Sequence, residues 1–508
     1  MTEIIGRCIG ETSPISVGFV SKKTPEVGEY VYLEYNDKIV LGMIDSLLRG
    51  STTLDESIRN PETIAKILNI EGDLDHYIRG TITILGDKDE LKIPRTPAPP
   101  GTEVKKADKE LLQEIFQQNN GIEIGSVLTE PDVPIKLDVN KMVSRHLAIL
   151  AMTGAGKSNT TSVILDELLA KNGTIIVFDM HSEYSNIKFK NGGKKTFTAN
   201  INPRDLKIHE YKDLATIPDS AVNQEKYLRD AYEYANDLIN NNKAPENVNF
   251  IDLMLENLSS TLLSMQNEDK KNKHEETVQQ VIFKLEDMKR KYSTLLESVD
   301  TSDIVDSIAR GKVNVVSLGS VDERATDIIV NHTLTNILKR RKNTRTGKSG
   351  QQLEYPIFCV IEEAHILAAE GRSTKSKSII GRIAREGRKF GVGLCLISQS
   401  PKSLDSSALS QVNNMIILRL VEPGDQSHVQ RSSESLSEDL LKQLPSLNVG
   451  EAVVLGQMTK IPTMVKVKEF EGTSIGSDLD ILKEWEKAKR KEELEREEQE
   501  EFIDDMGI

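Results

Sequence analysis

The sequence predicts an α/β core on a mainly parallel sheet, preceded by a small β-barrel, interrupted by a helical insertion and followed by a charged helical tail. Three observations carry that fold class. Apolar runs without period-two alternation recur across residues 141–470, short alternating strands fill the first hundred positions, and the strand–helix alternation lapses between about 202 and 310. At 508 residues the chain is too long for one core and suggests about three domains at ~150 residues each.

Residues 1–100 read as the barrel. Residues 27–35, the polar turn Asn36-Asp37 and residues 38–44 spell a hairpin, and residues 81–85 and 91–93, split by 86–90, spell a second. The proline-rich stretch 94–101 then reads as a linker, and 101–140 as a connector carrying a helix near 106–118. Parallel core strands are expected at 146–151, 174–178, 313–318, 356–361, 393–398, 415–420 and 452–455, which assigns 141–201 and 311–470 to the core. Within 202–310, Tyr227, Leu228, Ala231, Tyr232, Ala235, Leu238 and Ile239 share one helical stripe, and Val278, Val281, Ile282, Leu285 and Met288 another, with a third apolar helix at 253–265. Residues 471–508 form a Lys/Glu-rich tail that turns acidic, read either as a solvated helix or as an arm onto a neighbouring subunit.

Composition narrows the functional classes. With 38% hydrophobic and 28% charged residues the chain is a folded protein, and no run approaches the ~18 apolar residues of a membrane span. No secretory signal is visible, and Cys8, Cys359 and Cys395 lie too far apart for a disulfide framework, which fits a reducing cytoplasm. The net charge of -14 argues against coating nucleic acid over the whole surface but leaves a local basic channel open.

The most informative stretch runs from Ala151 through Thr153, Gly154, Ala155, Gly156, Lys157 and Ser158 to Asn159, between a strand and a helical pattern. Glycines let successive N–H groups turn inward, and the helix N-terminus adds its dipole, so the loop is suited to wrap the phosphates of ATP. Lys157 would bridge the β- and γ-phosphates and Ser158 would hold Mg²⁺. A buried strand ends in Glu362-Glu363-Ala364-His365. Glu362 would act on the metal through its water shell, and Glu363 would polarise the attacking water as catalytic base. Gln399, ending another strand, is suited to sense the γ-phosphate; Asp179, with Glu183 after it, is a supporting carboxylate or a turn cap. Arg382, Arg385, Arg388 and Lys389 fan around one helix, from which one arginine could reach a neighbour's ATP.

With these residues in hand, the chain resembles the HerA family of archaeal DNA translocases, in the HerA/FtsK branch of RecA-like P-loop ATPases. The resemblance rests on the early barrel, Ile124-Gly125-Ser126-Val127, Ser144-Arg145-His146 leading to Leu150, the Thr153–Ser158 loop, Phe178-Asp179-Met180-His181-Ser182-Glu183-Tyr184, Glu362-Glu363-Ala364-His365 and Ser398-Gln399-Ser400-Pro401. It departs at Ala151, at Glu362 where Asp is usual, and at Asp179-Met180-His181-Ser182. The resemblance implies a homohexamer that threads double-stranded DNA, a NurA-type nuclease partner on the N-terminal barrel, and DNA-end resection. It also implies that Arg388 is the intersubunit arginine and that Arg145 contacts the neighbour's nucleotide. Lys188, Lys190, Lys194, Lys195, Arg372, Lys375 and Lys377 are candidates to line a DNA pore with backbone-directed contacts. Two other readings remain open: a protein-export or pilus-assembly motor, and an ATP-gated DNA clamp.

Overall fold

A computed structural model describes residues 3–54, 58–71, 76–245, 247–266, 274–296, 303–433 and 435–473, with 481–482, 485–487 and 489–490. The acidic end of the tail, to which the intersubunit-arm reading belongs, lies outside the described residues, as does 474–480.

The N-terminal region is a closed barrel of six strands: β1 (Ile4–Thr12), β2 (Ser16–Ser21), β3 (Tyr30–Tyr35), β4 (Lys38–Ser51), β5 (His76–Asp87) and β6 (Glu103–Lys106), in the order β1-β2-β5-β4-β3-β6. Phe19, Val31, Leu33, Val40, Ile44, Ile82 and Val104 fill it. The first hairpin forms where the sequence placed it. Asn36 and Asp37 adopt φ of 50° and 56°, the left-handed pair that a two-residue hairpin turn needs. The second hairpin does not form. Residues 91–93 are not a strand, because β5 is paired with the long β4 on one edge and with β2 on the other, leaving no free edge for them. The boundary at residue 100 also moves. β6 closes the barrel between β1 and β3, and the proline-rich stretch is packed on it, with Ala98 in the barrel core and Thr12 donating to the Ala98 carbonyl.

The core sheet has eleven strands: β7 (Gly121–Val127), β8 (Glu130–Asp138), β9 (Leu147–Leu150), β10 (Ile175–Asp179), β11 (Lys194–Thr198), β12 (Val313–Ser317), β13 (Ile357–Ile361), β14 (Val392–Ser398), β15 (Asn414–Ile417), β16 (Glu451–Gly456) and β17 (Thr463–Val467). Their order is β11-β12-β10-β13-β14-β9-β15-β16-β17-β7-β8. The run from β11 to β15 is parallel; β16, β17, β7 and β8 continue it antiparallel. Residues 452–455 therefore lie on an antiparallel strand, and the expected connector supplies two sheet strands and a helix, Lys109–Phe116. Both edges are guarded against further pairing. Pro131 and Pro134 sit on edge strand β8, and Lys194 and Lys195 on edge strand β11.

Within the insertion, the helices Val222–Asn240, Phe250–Gln266 and Glu275–Lys291 bury the expected stripes through Leu228, Ala231, Ala235, Val278, Val281, Leu285 and Met288. Tyr211, Tyr232 and Phe250 knit its base, with Tyr232 and Phe250 edge-to-face at 5.4 Å. Barrel and core meet at Tyr30, whose hydroxyl donates to the Pro462 carbonyl at 3.1 Å and whose ring packs on Phe116 at 5.6 Å. No helix among the described residues is long and apolar enough to cross a membrane.

Candidate nucleotide site

The parallel register brings the C-terminal ends of four central strands together: Phe178 opposite Ile361, Ile361 opposite Leu396, and Ser398 opposite Leu150. Loops leaving a parallel sheet at that end enclose a crevice. The loop after β9 fills it. Gly154 and Gly156 adopt φ of 79° and 101°, which only glycine takes without strain, and the helix Lys157–Leu169 starts directly after. Ala151, at the motif's first glycine position, is fully buried and keeps a negative φ, so its methyl group is accommodated.

Lys157 donates to Glu363 Oε1 at 2.8 Å, the lysine 14% and the glutamate 2% exposed. Glu363 reaches that position from a strained backbone, φ 45° and ψ 45° at a non-glycine residue. Such strain concentrates where function requires one orientation. Glu363 Oε2 is buried without a hydrogen-bond partner, 3.2 Å from His365 Nδ1, which also lies 3.3 Å from Ser398 Oγ. Ser158 donates to Glu183 Oε2 at 2.7 Å, and Thr153 to Gln399 Oε1 at 2.9 Å. Asp179 caps the intervening turn, accepting from the backbone N–H groups of Glu183, Tyr184 and Ser185, and so presents Glu183 to the loop.

Glu362 is almost fully buried and accepts from the Met180 N–H at 3.1 Å. Burial pushes its carboxyl up to about 8, and the charges of Glu183 and Asp179 push the same way. Burial also lowers the His365 imidazole. The cluster concentrates carboxylates around one lysine and one serine hydroxyl, while no group of three or more His, Cys, Asp or Glu among the described residues is arranged to hold a metal ion by itself. Glu363 thus turns one carboxylate oxygen to the lysine and the other, buried one toward His365.

Some expected residues are not brought here. Asn159 turns away from the crevice: its amide donates to the Lys468 carbonyl and accepts from the Phe470 N–H, both at 2.9 Å, so its side chain clamps the segment after β17. Arg145 and Arg388 lie at the opposite end of the sheet, Arg145 just before β9 and Arg388 just before β14. Lys194 and Lys195 do not sit in loops. They start β11, level with Ile175 rather than Asp179, and their ammonium groups donate to the carbonyls of Ser185 and Ser307. Lys375 is paired with Asp213, Lys377 with Asp405 and Lys190 with Glu471; Arg372 is exposed in the loop after β13. The residues that sequence reasoning missed are His365 and His181, the latter 3.8 Å from Glu363. Their signal was two histidines each close to a carboxylate in a strand-end motif.

The model of the central domain of the HerA helicase matches residues 122–337, and that of the HAS barrel domain matches residues 5–90. A DNA double-strand break repair helicase HerA from Saccharolobus solfataricus is 37% identical, over 97% of each chain. The chain belongs to the HerA helicase family. A probable helicase of Methanocaldococcus jannaschii is 42% identical, over 96% of this chain and 94% of that relative. Among solved structures, VirB4 of Thermoanaerobacter pseudethanolicus aligns with 70% of this HerA-family chain and 97% of its own, at TM-score 0.51 and 16% identity, a likeness of fold alone.

Proposed function

We propose that the protein is an ATP-driven translocase or helicase of double-stranded DNA that works as a ring, in DNA-end resection and recombinational repair. The single observation that carries the reading is the buried Lys157–Glu363 pair at the mouth of the phosphate loop, in a chain of the HerA helicase family. ATP with Mg²⁺ is the cofactor this donor set suits, and the ion, when bound, would neutralise the phosphate oxygens. Ser158 would hold it directly and Glu362 through water.

In this reading Lys157 exchanges the Glu363 carboxylate for phosphate oxygens. Glu363, released from the lysine, orients a water and accepts its proton, with His365 fixing the carboxylate from behind. Thr153 ties the loop to Gln399, so loss of the γ-phosphate is felt at the end of β14. The lysine and the glutamate belong to one site; Arg145 and Arg388 complete the site of the next copy. The reading includes a homohexamer, a NurA-type nuclease docked on the barrel and a cytoplasmic location, for which membership of the HerA helicase family is the support.

The test is ATP hydrolysis with and without duplex DNA, together with native mass. DNA should stimulate hydrolysis, Lys157→Ala and Glu363→Gln should abolish it, and the assembled mass should be a multiple of the chain. Unchanged rates in both variants would overturn the site assignment.

A further inference from the structure

At the end of the sheet away from the phosphate loop sits one buried ring that the proposed chemistry does not use. His146 follows Arg145, is 2% exposed, and takes φ 65°. Its Nδ1 accepts from the Leu394 N–H at 3.0 Å, so Nε2 carries the proton and donates to the Ala384 carbonyl at 3.1 Å. Ala384 stands one helical turn before Arg388 on the helix Lys375–Phe390, and its carbonyl is the one the Arg388 N–H meets in the helical ladder. The ring thus ties the start of β14 to the last turn of that helix. Gly387 lets the two approach: a Cβ there would lie 2.4 Å from the Val392 carbonyl oxygen and 3.4 Å from the ring.

The backbone around the ring is fixed from the other side as well. The Asn414 amide donates to the His146 carbonyl at 2.8 Å and to the Lys141 carbonyl at 3.1 Å, and the Asn413 N–H donates to the Arg145 carbonyl. Arg145 and Arg388 therefore hang from one bracket, next to it in sequence and one turn along the helix. Neither guanidinium forms a hydrogen bond or ion pair with a described residue, although both lie within a protein rich in carboxylates. The four residues of β9, about 13 Å at ~3.3 Å each, separate Arg145 from the phosphate loop, too far for an arginine to serve its own site.

We propose that His146 is a positioning residue that holds Arg145 and Arg388 as one array, with which each copy of the chain completes its neighbour's nucleotide site. This rests on the reading that the two arginines act between subunits, and it adds the element that sets their geometry. A misplacement of about 1 Å at such a site costs up to ~10²-fold in rate.

The test compares His146→Asn, which keeps an acceptor for Leu394 and tolerates the left-handed backbone, with His146→Gln, whose amide can still donate to Ala384. His146→Asn should lower DNA-stimulated kcat about 10- to 100-fold with KM for ATP unchanged, and His146→Gln should recover most of the loss. Mixing supplies the decisive readout. Lys157→Ala copies keep native arginines without a working phosphate site, so mixed with His146→Asn copies they should raise activity above either alone. Arg388→Ala mixed with Lys157→Ala is the control. If the control complements and the His146→Asn mixture does not, the bracket is overturned while the intersubunit reading stands. If neither complements, the intersubunit reading fails first. Should His146→Asn not assemble, Gly387→Ala, which pushes the same helix end off β14, must give the same kcat loss and complementation, or the proposal falls.

Discussion

The candidate functional cations at the two ends of the core sheet are held in opposite ways. At the C-terminal end Lys157 is buried against Glu363, and the Ser158 hydroxyl is bonded to Glu183. At the N-terminal end Arg145 and Arg388 carry no partner within the described chain, and the group between them is an uncharged ring. The first end satisfies itself while it waits for phosphate, since a lysine buried alone would be strongly destabilising. The second is exposed enough to leave its guanidinium groups in water, and rigid enough to aim them. In the proposed reading, in which a site is shared between copies, a self-contained pocket and an open array would be its two halves.

The largest effect that would break this comparison is expected at the open end. Arg388→Ala should lower DNA-stimulated hydrolysis about 10³- to 10⁵-fold if it stabilises transferring phosphate, measured by steady-state turnover in assembled rings. A loss under tenfold would move the role to another arginine. Glu363→Gln should follow with about 10²- to 10⁴-fold in kcat and ATP binding retained, read by nucleotide affinity beside turnover.

Next comes acid stability. Burial lowers the His146 ring from 6.5 to about 4, and its hydrogen bonds go to the Leu394 N–H and the Ala384 carbonyl, not to a carboxylate. Below pH 6.5 the unfolded chain takes up a proton that the folded ring refuses. The neutral ring's contribution is therefore complete above pH 6.5 and is lost as pH falls toward 4, by about 3 kcal/mol. Denaturation midpoints between pH 7 and 4 should fall more steeply for the wild type than for His146→Gln; parallel curves would contradict the neutral ring.

The smallest effect is on DNA. If about six phosphates are neutralised, the log–log salt slope of duplex binding should lie near -5. Arg372→Ala should make it shallower, whereas Lys375→Ala, whose ammonium is already paired with Asp213, should leave it nearly unchanged. The reverse ranking would place the DNA path elsewhere.

Much of this was legible in the chain itself, and the reason is locality. A loop such as Gly154–Lys157 needs residues adjacent in sequence, glycines where φ is positive and a helix start behind them, so its signal is written in one stretch. Buried parallel strands announce themselves as apolar runs, and Asn36-Asp37 announces a left-handed turn. Where pairing partners are distant the sequence misleads. Residues 91–93 look like a strand but are displaced by the long β4–β5 ladder, and β6 belongs to the barrel although it follows a proline-rich stretch.

Side-chain commitments are the part that only the tertiary structure decided. Nothing near Lys375 marks it as the partner of Asp213, nor Asn159 as a clamp on residues 468–470, nor Lys194 as an edge-strand residue rather than a loop lysine. The same holds for the coupling of His146 to Ala384, 238 positions away. Backbone conformation follows from neighbours along the chain, whereas hydrogen bonds and ion pairs follow from neighbours in space, which folding alone selects.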